Sequence, residues 1–559
     1  MAPIFDDLEV GKRALLAQQA VLNTVGHNLA NATTPGYTRQ RTELASVLTQ
    51  NGVEVTAIRR IRDRYLDFSL LAENQALGRY QAQQGLLLRL QAVFNDPPGT
   101  GLGSMLDGFF QGFADLSVNP ADQALRVTMR DSGARLATTF RSLQSRIDQL
   151  KTDLTTQIQE KVTAANGLLG QIADLHRQIL ARGGGAPPND LFDKRDQLVD
   201  QLNQIIGVTA TDRADGTVQL AVTGTGVLVV DGTLTTPLKA TINPGADSVD
   251  LTAGSVAVTP QGGELAAVLS ARNSPTGPVK QAANDLDALA RAIIAEVNRL
   301  HASGTGLAEH AALTAVNAVS SPSAALTAAG LAFTPGSGSF KMIVHDATGA
   351  VKSSVTVSVT AGVTTLNEIA TAINGDPDLS ATISGGKLTV AAAAGDTFTF
   401  ADDTSDTLMA LGLNTFFSGS SARDIALNPV IAADANKIAA AQADPAGLVH
   451  PGDGANALAL ADLRTSLAMS GGTATFSDFF GTTVSRVGSQ MRETNDALDR
   501  QQATAQVVQS LQQQTSSVSI DEEMIALTQS QNAYAAAAKY IGTVQDMIRT
   551  LLNMMTVTA

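Results

Sequence analysis

Metal-binding residue types lie close together in one short stretch of this chain. His301, Glu309 and His310 supply two imidazoles and a carboxylate, and these groups are common zinc ligands. Gly304 and Gly306 lie between them and favour a loop. No third ligand follows at a diagnostic spacing, and no H-E-x-x-H motif is present. The sequence therefore predicts no metal site at this position.

Other chemistry-bearing patterns are also incomplete. Asp402, Asp403 and Asp406 lack the spacing and the terminal Glu of a calcium-binding EF-hand loop. The glycines at 224–226 lack the third glycine of a dinucleotide loop, and those at 336–339 lack the lysine of a phosphate-binding loop. We interpret the first pattern as a solvated acidic turn and the other two as ordinary turns. The sequence predicts no catalytic residues and no cofactor, and hence a protein that is not an enzyme.

Composition excludes several classes of partner. The 559 residues carry a net charge of −14, whereas nucleic-acid binding requires clustered Lys and Arg. No basic run is present to hold an anionic membrane, and no window approaches the roughly 18 apolar residues of a membrane span. The first residues, MAPIFDDLEV, do not read as a cleaved secretory signal. We expect no nucleic-acid partner, no membrane insertion and no cleaved signal peptide.

Both ends of the chain carry apolar residues at the seven-residue period of helices that pack on other helices. The N-terminal seam consists of Ile4, Leu8, Leu15, Leu22, Val25 and Leu29. The C-terminal seam consists of Ile520, Met524, Leu527, Tyr534, Ile541, Ile548, Leu552 and Met555. The simplest interpretation is that the two seams pair with each other. We further expect the extreme ends to become ordered only within a polymer, because a lone helix cannot bury such a stripe.

Between the ends, helical and strand periodicities alternate. A seam from Leu136 to Ile179, with no proline between 121 and 186, predicts one long helix. A glycine run at 183–185 ends it, and period-two alternation follows. The fold class predicted is multidomain α+β, with a long coiled-coil bundle formed by the N- and C-terminal segments and inserted β-rich outer domains. The predicted segments are an inner helix and turn (1–62), a long helical-bundle segment (63–185), a β-hairpin region with a return helix (186–310), an inserted β-rich outer domain (311–421), and C-terminal coiled-coil helices that pair with the N-terminus (422–559).

A distinctive turn ends the first seam. Proline and glycine prevent continuation of the helix there. Asn and Thr before Pro-Gly could simply terminate a helix, or they could fix the angle at which the first helix leaves its layer. We favour the second interpretation. The turn residues are Asn28, Asn31, Thr34, Pro35, Gly36 and Tyr37.

The stretch 26–37 resembles the N-[IL]-A-N-x-x-T-P-G-Y signature of the flagellar rod, hook and hook-associated axial proteins. The stretches 519–524 and 531–539 resemble the C-terminal signature of the same family. Three internal features narrow the resemblance to the hook-associated members at the hook–filament junction. They are the sequence NDLFDKRDQL at 189–198, the N-x-x-H-x-x-G element at 298–304, and GANALAL at 454–460, where Ala455 departs from the pattern.

The resemblance implies a structural subunit of the bacterial flagellum that forms the junction ring between hook and filament. It implies a homo-oligomeric ring in contact with the hook protein and with the third hook-associated protein. It also implies an export chaperone on the C-terminal helix, and an extracellular location reached by type III export without signal cleavage. In such a subunit the terminal helices line the inner tube and the 311–421 module faces outward.

Two alternatives stay open at this point. Another axial flagellar protein, such as a hook protein or a flagellin, shares parts of the terminal pattern. A coiled-coil surface adhesin would share the heptads, but it normally needs a secretory signal or an anchor. An enzyme is the least favoured class.

Overall fold

The computed structural model describes residues 2–46, 52–95, 97, 99, 101–182 and 187–557. The predicted break at 183–185 lies outside the described residues. So do the side chains of Ile4 and Met555, whose backbones belong to helices.

Helices dominate both ends of the chain. The described residues form α1 (Ala2–Ala30), α2 (Arg64–Val93), α3 (Leu102–Val118), α4 (Gln123–Ala181), α5 (Asn189–Ile205), α6 (Gly263–Asn273), α7 (Pro278–Ala302), α8 (Leu366–Ile373), α9 (Thr407–Leu411), α10 (Pro429–Ala433), α11 (Ala455–Asp462), α12 (Phe476–Ser516) and α13 (Ile520–Val557). Short 3₁₀ helices occur at Leu326–Ala328 and Ala435–Lys437. The long helix predicted between 121 and 186 is thus confirmed as α4.

Strands occupy the first turn region and the middle of the chain. They are β1 (Gln40–Ser46), β2 (Val53–Arg60), β3 (Val208–Asp212), β4 (Val218–Val222), β5 (Leu228–Asp231), β6 (Leu234–Thr235), β7 (Leu238–Asn243), β8 (Ser248–Ala253), β9 (Val256–Ala257), β10 (Ala312–Thr314), β11 (Gly338–His345), β12 (Val351–Val359), β13 (Leu379–Ser384), β14 (Lys387–Ala392), β15 (Thr397–Ala401), β16 (Phe417–Ser418) and β17 (Ala426–Leu427).

All strand pairs among the described residues are antiparallel. The sheets have the orders β1-β2, β3-β4-β5-β6, β7-β8-β9, β12-β11-β15, β10-β14-β13 and β16-β17. Small antiparallel sheets follow from short alternating runs separated by glycine turns. Gly385 and Gly386 both adopt positive φ and join β13 to β14. The α+β class predicted from the sequence, with long terminal helices and β-rich regions between them, is confirmed.

The chain divides into two compact units. Unit 1 comprises 1–86, 153–274 and 491–559, and unit 2 comprises 87–152 and 275–490. Both units are therefore built from separate stretches of sequence, because the chain enters and leaves each of them more than once.

Unit 1 has a core of aliphatic residues. The seam predicted in α4 continues into this unit, where Leu154, Ile158 and Leu169 are fully or almost fully buried. Strand β4 alternates buried and partly buried positions, with Val218 and Leu220 inside. The two periodicities seen in the sequence thus correspond to the buried faces of a helix and a strand.

Unit 2 contains most of the aromatic side chains of the chain and has two buried clusters. Helix α3, which the sequence analysis did not identify, supplies Phe109, Phe110 and Phe113 to the first. Phe109 packs edge-on against Phe416 with ring centroids 5.6 Å apart. The second cluster is the core of the β-rich module, built around Phe340, Phe398, Phe400, Leu388, Ile369 and Leu411. Apart from Ala302, the residues of this cluster lie within 311–421, which belongs to unit 2.

The two terminal helices pack against each other in unit 1. Near one end of α1, Gly11 faces Ile541 and Tyr540 of α13. Near the other end, Asn28 reaches Glu523. Because residue numbers rise along α1 while they fall along α13, the pair is antiparallel. A Cβ atom added at Gly11 would lie 2.7 Å from Ile541 Cγ1, so glycine permits the close approach of the helices here.

The close approach at Gly11 gives a first testable prediction. Gly11→Ala forces a methyl group against Ile541, and overpacking of this kind costs roughly 1–3 kcal/mol of stability. Gly26→Ala is the matched control, because it lies in the same helix with no atom within 4 Å of the added Cβ. The control gains up to about 1 kcal/mol from helix propensity. Thermal denaturation followed by circular dichroism measures both. Equal stabilisation by the two substitutions would contradict the packing of α1 on α13.

Candidate assembly site

The turn that ends α1 is built from local hydrogen bonds. The backbone N–H of Asn31 donates to His27 O (3.1 Å), and the N–H of Thr34 donates to Asn31 O (2.9 Å). The Thr34 hydroxyl donates to Asn31 Oδ1 at 3.2 Å. Gly36 has φ +79°, a conformation that side chains disfavour. The Pro-Gly pair thus reverses the chain and directs it into β1.

Asn28 is the central side chain of the turn. It is 1% exposed, and its amide makes four hydrogen bonds. Nδ2 donates to Gln40 O (2.8 Å) and to Glu523 Oε2 (3.1 Å). Oδ1 accepts from the Tyr37 hydroxyl (2.8 Å) and from Gln40 N–H (3.0 Å). Because two donors and two acceptor lone pairs are all that an asparagine side chain has, every polar position of Asn28 is satisfied.

Arg39 and Glu523 connect the turn to the C-terminal helix. Glu523 is 2% exposed, and a buried carboxylate needs charged and hydrogen-bonding partners. Arg39 Nε donates to Glu523 Oε1 at 2.7 Å, and its Nη1 donates to Glu522 Oε2 at 2.8 Å. The backbone N–H of Arg39 also donates to Ser516 O, at the last residue of α12. The turn is therefore bonded to both sides of the α12–α13 joint.

Helix α5, which carries the NDLFDKRDQL stretch, holds the turn from another side. Thr38 N–H donates to Asp193 Oδ2 at 3.0 Å. Asp190 Oδ1 lies 3.1 Å from His27 Nε2 and accepts from Gln40 Nε2 at 3.1 Å. Three stretches that the sequence analysis singled out separately thus meet at one place. We call the set Asn28, Tyr37, Arg39, Gln40, Asp190, Asp193 and Glu523 the clamp.

The clamp environment shifts the ionisation of Tyr37. Burial, followed by the nearby carboxylates of Asp190 and Asp193, raises the pKa of the Tyr37 hydroxyl well above its ordinary value of 10. The hydroxyl therefore stays protonated and available as the donor to Asn28.

Arginines from β2 and the segment after it reinforce this region. Arg60 Nη1 donates to Asp193 Oδ1 and to Asp196 Oδ2, both at 2.8 Å. Arg62 donates to Asp196 and to Asp67. Burial alone would raise the pKa of Asp196, but the guanidinium groups of Arg195, Arg62 and Arg60 outweigh it and lower that pKa. Asp196 is thus a stable anion that joins α5 to the strand.

A cleft of about 910 Å³ lies beside the clamp in unit 1. Its lining includes Arg60, Phe68, Asp200 and Gln512. No described residue donates a hydrogen bond to the Asp200 carboxylate. Burial, with the neighbouring carboxylates of Asp196 and Asp67, raises the pKa of Asp200 to about 7. This carboxylate is the part of the cleft that is least well satisfied.

The predicted seam residues of α1 and α13 differ in their exposure to solvent. In α1, Val25 is buried, and Leu8, Leu15, Leu22 and Leu29 are partly buried. In α13, Leu527, Tyr534, Ile541 and Ile548 are partly buried. Ile520, Met524 and Leu552 are exposed at 51%, 46% and 54%.

The second row of the buried face of α13 was not predicted. It consists of Glu523, Ser530 and Val544, which are buried, with Ala537 partly buried between them. These four positions are also spaced by sevens, and they alternate by threes and fours with Leu527, Tyr534, Ile541 and Ile548. Met524 and Leu552 were predicted at the buried face of α13 because they are large and apolar. A charged and a small polar residue gave no hydrophobic signal.

The three residues that suggested a metal site have hydrogen-bonding roles. His301 is fully buried, with Nδ1 2.7 Å from Asn414 O and Nε2 accepting from Ala439 N–H at 2.9 Å. His310 Nε2 lies 3.1 Å from Asn414 Oδ1. Burial lowers the pKa of both histidines to about 4, so both are neutral. Within the described residues no group of three or more His, Asp and Glu side chains is arranged to hold a metal ion.

Three protein families match parts of the chain. The family described as "Flagellar hook-associated protein FlgK helical domain" matches residues 87–313. The "Flagella basal body rod protein" family matches residues 8–38, which contain the turn. The "Flagellar basal body rod FlgEFG protein C-terminal" family matches residues 507–554, which contain Glu523.

Relatives extend the similarity to almost the whole chain. The flagellar hook-associated protein 1 of Salmonella typhimurium is 28% identical over 580 aligned residues, covering 97% of this chain and 98% of the relative. The protein of the same name from Bacillus subtilis is 32% identical over 247 residues, covering 40% of this chain and about half, 49%, of that relative. The chain is thus similar to flagellar hook-associated protein 1 over almost its whole length. It is a structural protein of the flagellum.

A solved structure supports the fold. The flagellar hook junction protein FlgK from Burkholderia pseudomallei superimposes with a TM-score of 0.53 at 18% identity, covering 82% of this chain and all of that chain. The arrangement of long helices with small inserted sheets is thus similar to the fold of that protein. Of the helices in the described part of the chain, none combines the length and the apolar character of a membrane span.

The clamp gives a second testable prediction. Asn28→Ala leaves the polar groups of Gln40 and Tyr37 and the carboxylate of Glu523 without this partner. Buried groups left unsatisfied cost about 1–3 kcal/mol each. We therefore expect amide hydrogen exchange at residues 28–40 and 189–196 to rise about 100-fold. Asn31→Ala is the matched control, because the Asn31 side chain bonds to His27 and Thr34 and to none of the clamp residues. Similar exchange in the two variants would contradict a clamp centred on Asn28.

Asp200 gives a third prediction, with a defined dependence on pH. Because the folded pKa of about 7 exceeds the ordinary 3.8, the stability linked to protonation of Asp200 is fully present below pH 3.8 and is lost as pH rises from there through 7. Asp200→Asn removes this loss, and we expect a stabilisation of roughly 2 kcal/mol at pH 8 and less than half of that at pH 5. Calorimetric melting at the two pH values measures it, with the exposed Asp499→Asn as control. An equal effect at both pH values would argue against an ionised, poorly solvated Asp200.

Proposed function

We propose that copies of this chain assemble into the ring that joins the flagellar hook to the filament, using the paired terminal helices as the contact surface. The observation that carries the proposal is a second apolar stripe on α13. Helix α1 covers one face of α13, and Ile525, Met547 and Met554 lie exposed elsewhere, at 60%, 48% and 62%.

The second stripe is well separated from the first. At about 100° per residue, Ile525, Ala536, Met547 and Met554 fall within about 40° of one another around α13, and Gln529 and Thr543 are the polar residues in the same sector. Glu523, Ser530 and Ile541, which face α1, lie on roughly the opposite side. Fully burying a side chain of this size contributes about 1.5–3 kcal/mol, so several together would stabilise contact with another subunit. Exposed apolar patches mark interaction sites in this way.

Besides an apolar contact surface, a ring subunit needs a defined geometry, and the clamp supplies it. Buried charge-assisted hydrogen bonds have narrow geometric requirements, and those of Arg39 and Asn28 reach Glu523 at the start of α13. The direction of α13 is therefore fixed relative to α5 and the β1–β2 pair. In our proposal this sets the angle at which the contact surface is presented, which is the role that we assign to the signature turn.

The partners and the route follow from the same proposal. The ring contacts the hook protein on one side and the third hook-associated protein on the other, and an export chaperone covers the C-terminal helix before secretion. Export proceeds without signal cleavage to the extracellular flagellum. The apolar stripe of α13 supports the chaperone, since a face that is buried in the polymer needs cover in the monomer. The terminal helices become fully ordered only in the ring, and the 311–421 module faces outward.

Other axial flagellar proteins are the second candidate, because the rod-protein families match both ends of the chain. The match of residues 87–313 to the hook-associated helical domain favours the junction. Hook protein and flagellin as alternatives therefore rank below the junction ring.

Electron microscopy of cells provides the fourth testable prediction. Cells without this chain should carry hooks without filaments, and the wild-type chain should restore filaments. Met547→Glu places a charge in the exposed stripe without touching α1 contacts. We expect this variant to be folded and secreted but to leave hooks bare.

The control for this experiment is Gln531→Glu, an exposed position on α13 about 120° away from the stripe. It adds the same charge and should restore filaments. Filaments on cells that lack the chain would overturn the junction function. Filaments with Met547→Glu would overturn only the assignment of the contact surface.

A further inference from the structure

His345 is a fully buried histidine at the end of β11, in the β-rich module of unit 2. It is 0% exposed and pairs across the sheet with Val351 of β12 and Thr397 of β15. Its Nε2 lies 2.9 Å from Gly447 O. Its Nδ1 lies 3.0 Å from Glu309 Oε2. The second contact is an ion pair without the alignment of a straight hydrogen bond, since Nδ1 has no partner by hydrogen-bond geometry.

The hydrogen-bond partners of His345 determine its protonation state. A carbonyl oxygen can only accept, so Nε2 must carry a hydrogen to bond to Gly447. In a neutral imidazole Nδ1 would then hold a lone pair, facing a carboxylate oxygen inside the protein. Two acceptors at 3.0 Å repel each other, and the imidazole is shielded from water, whereas Glu309 is 18% exposed. The arrangement is therefore stable only when one further proton is shared between His345 and Glu309.

Glu309 is held in place from other elements. The Thr397 hydroxyl donates to Glu309 Oε2, and Lys437 Nζ donates to the backbone O of Glu309 at 2.5 Å. The other titratable groups nearby are Asp346, which follows His345, and His310, which is neutral. The carboxylates of Glu309 and Asp346 thus act on His345 directly, whereas Lys437 acts on it only through Glu309. Negative charge prevails around the imidazole.

The ionisation of both groups agrees with this geometry. The contact with Glu309, against the opposing effect of burial, raises the pKa of His345 above its ordinary 6.5. Although burial acts to raise it, the pKa of Glu309 is lowered by contacts with His345 and Thr397. Since folding raises the pKa of His345, the linked stability is fully present below pH 6.5. It is lost as pH rises through the folded value.

We propose that the proton shared by His345 and Glu309 is a latch, which ties the end of β11 to residue 309 and to the loop at 444–448 and opens in alkaline solution. Loss of that proton leaves a carboxylate facing an imidazole lone pair. The repulsion displaces the ring, which also carries its Nε2–H away from Gly447 O, and the three segments separate locally. The rest of the module keeps its core of Phe340, Phe398 and Phe400. The latch is therefore a local device and does not unfold the unit.

Hydrogen exchange of the full-length protein between pH 7 and pH 10 tests the latch. After correction for the intrinsic exchange rate, we expect amides in 338–346 and 442–450 to lose protection at least 10-fold more than amides of β14. Glu309→Gln should remove this pH dependence, because a Gln amide can donate to neutral Nδ1 without a titrating proton. His450→Gln is the control: His450 lies in the same loop region in an exposed pair with Asp444, and its loss should leave the pH dependence intact.

A second measurement does not depend on any variant folding. Nuclear magnetic resonance of ¹³C-labelled histidine in the wild-type chain should show the His345 ring protonated above pH 7. A ring that is neutral at pH 7, or equal loss of protection in wild type and Glu309→Gln, would overturn the proposal. A protonated ring with pH-dependent exchange confined to the two segments would support it.

Discussion

The structure depends on a polar joint between the two ends of the chain. Two helices that meet only through apolar rows can slide by one heptad at small cost, since Leu8, Leu15 and Leu22 are alike. Asn28 cannot slide, because its four hydrogen bonds have partners in three different segments. Displacement would leave the carboxylate of Glu523 buried without its partners. That is far more costly than moving a leucine. The joint therefore fixes the register that the heptads leave open.

Apolar rows and the polar joint thus have separate roles, and this difference explains what could be predicted from the sequence. The period of seven found the partly buried row Leu527, Tyr534, Ile541 and Ile548, because apolar side chains at that spacing have one physical use. It could not find the second row, where Glu523 and Ser530 occupy buried positions. Burial of a glutamate is decided by Arg39, which lies far away in sequence, and no local pattern reports such a partner. The helix of three phenylalanines, α3, was also missed.

In the middle of the chain, too, local sequence patterns do not reveal partners that are distant in sequence. Strand positions and glycine turns were predictable, since alternation and positive φ are local properties. The roles of His301, His310 and Glu309 were not, because their partners, Asn414, His345 and Lys437, come from segments that only the fold brings together. The resemblance to axial proteins identified the NDLFDKRDQL stretch as significant. The structure explains the significance of this stretch, because Asp190 and Asp193 accept hydrogen bonds from the segment that follows the turn after α1.

In the proposed ring, a subunit has to combine a defined shape with an apolar surface that another copy can cover. Here the two requirements fall on different faces of one helix. On the face of α13 toward α1, hydrogen bonds to Glu523 specify the contact, whereas Ile525, Met547 and Met554 of the exposed stripe are apolar. Apolar contacts tolerate small shifts in register, and hydrogen-bonded carboxylates do not. The proposed ring, which would meet different neighbours on its two sides, would benefit from having the tolerant face outside and the specific face within the subunit.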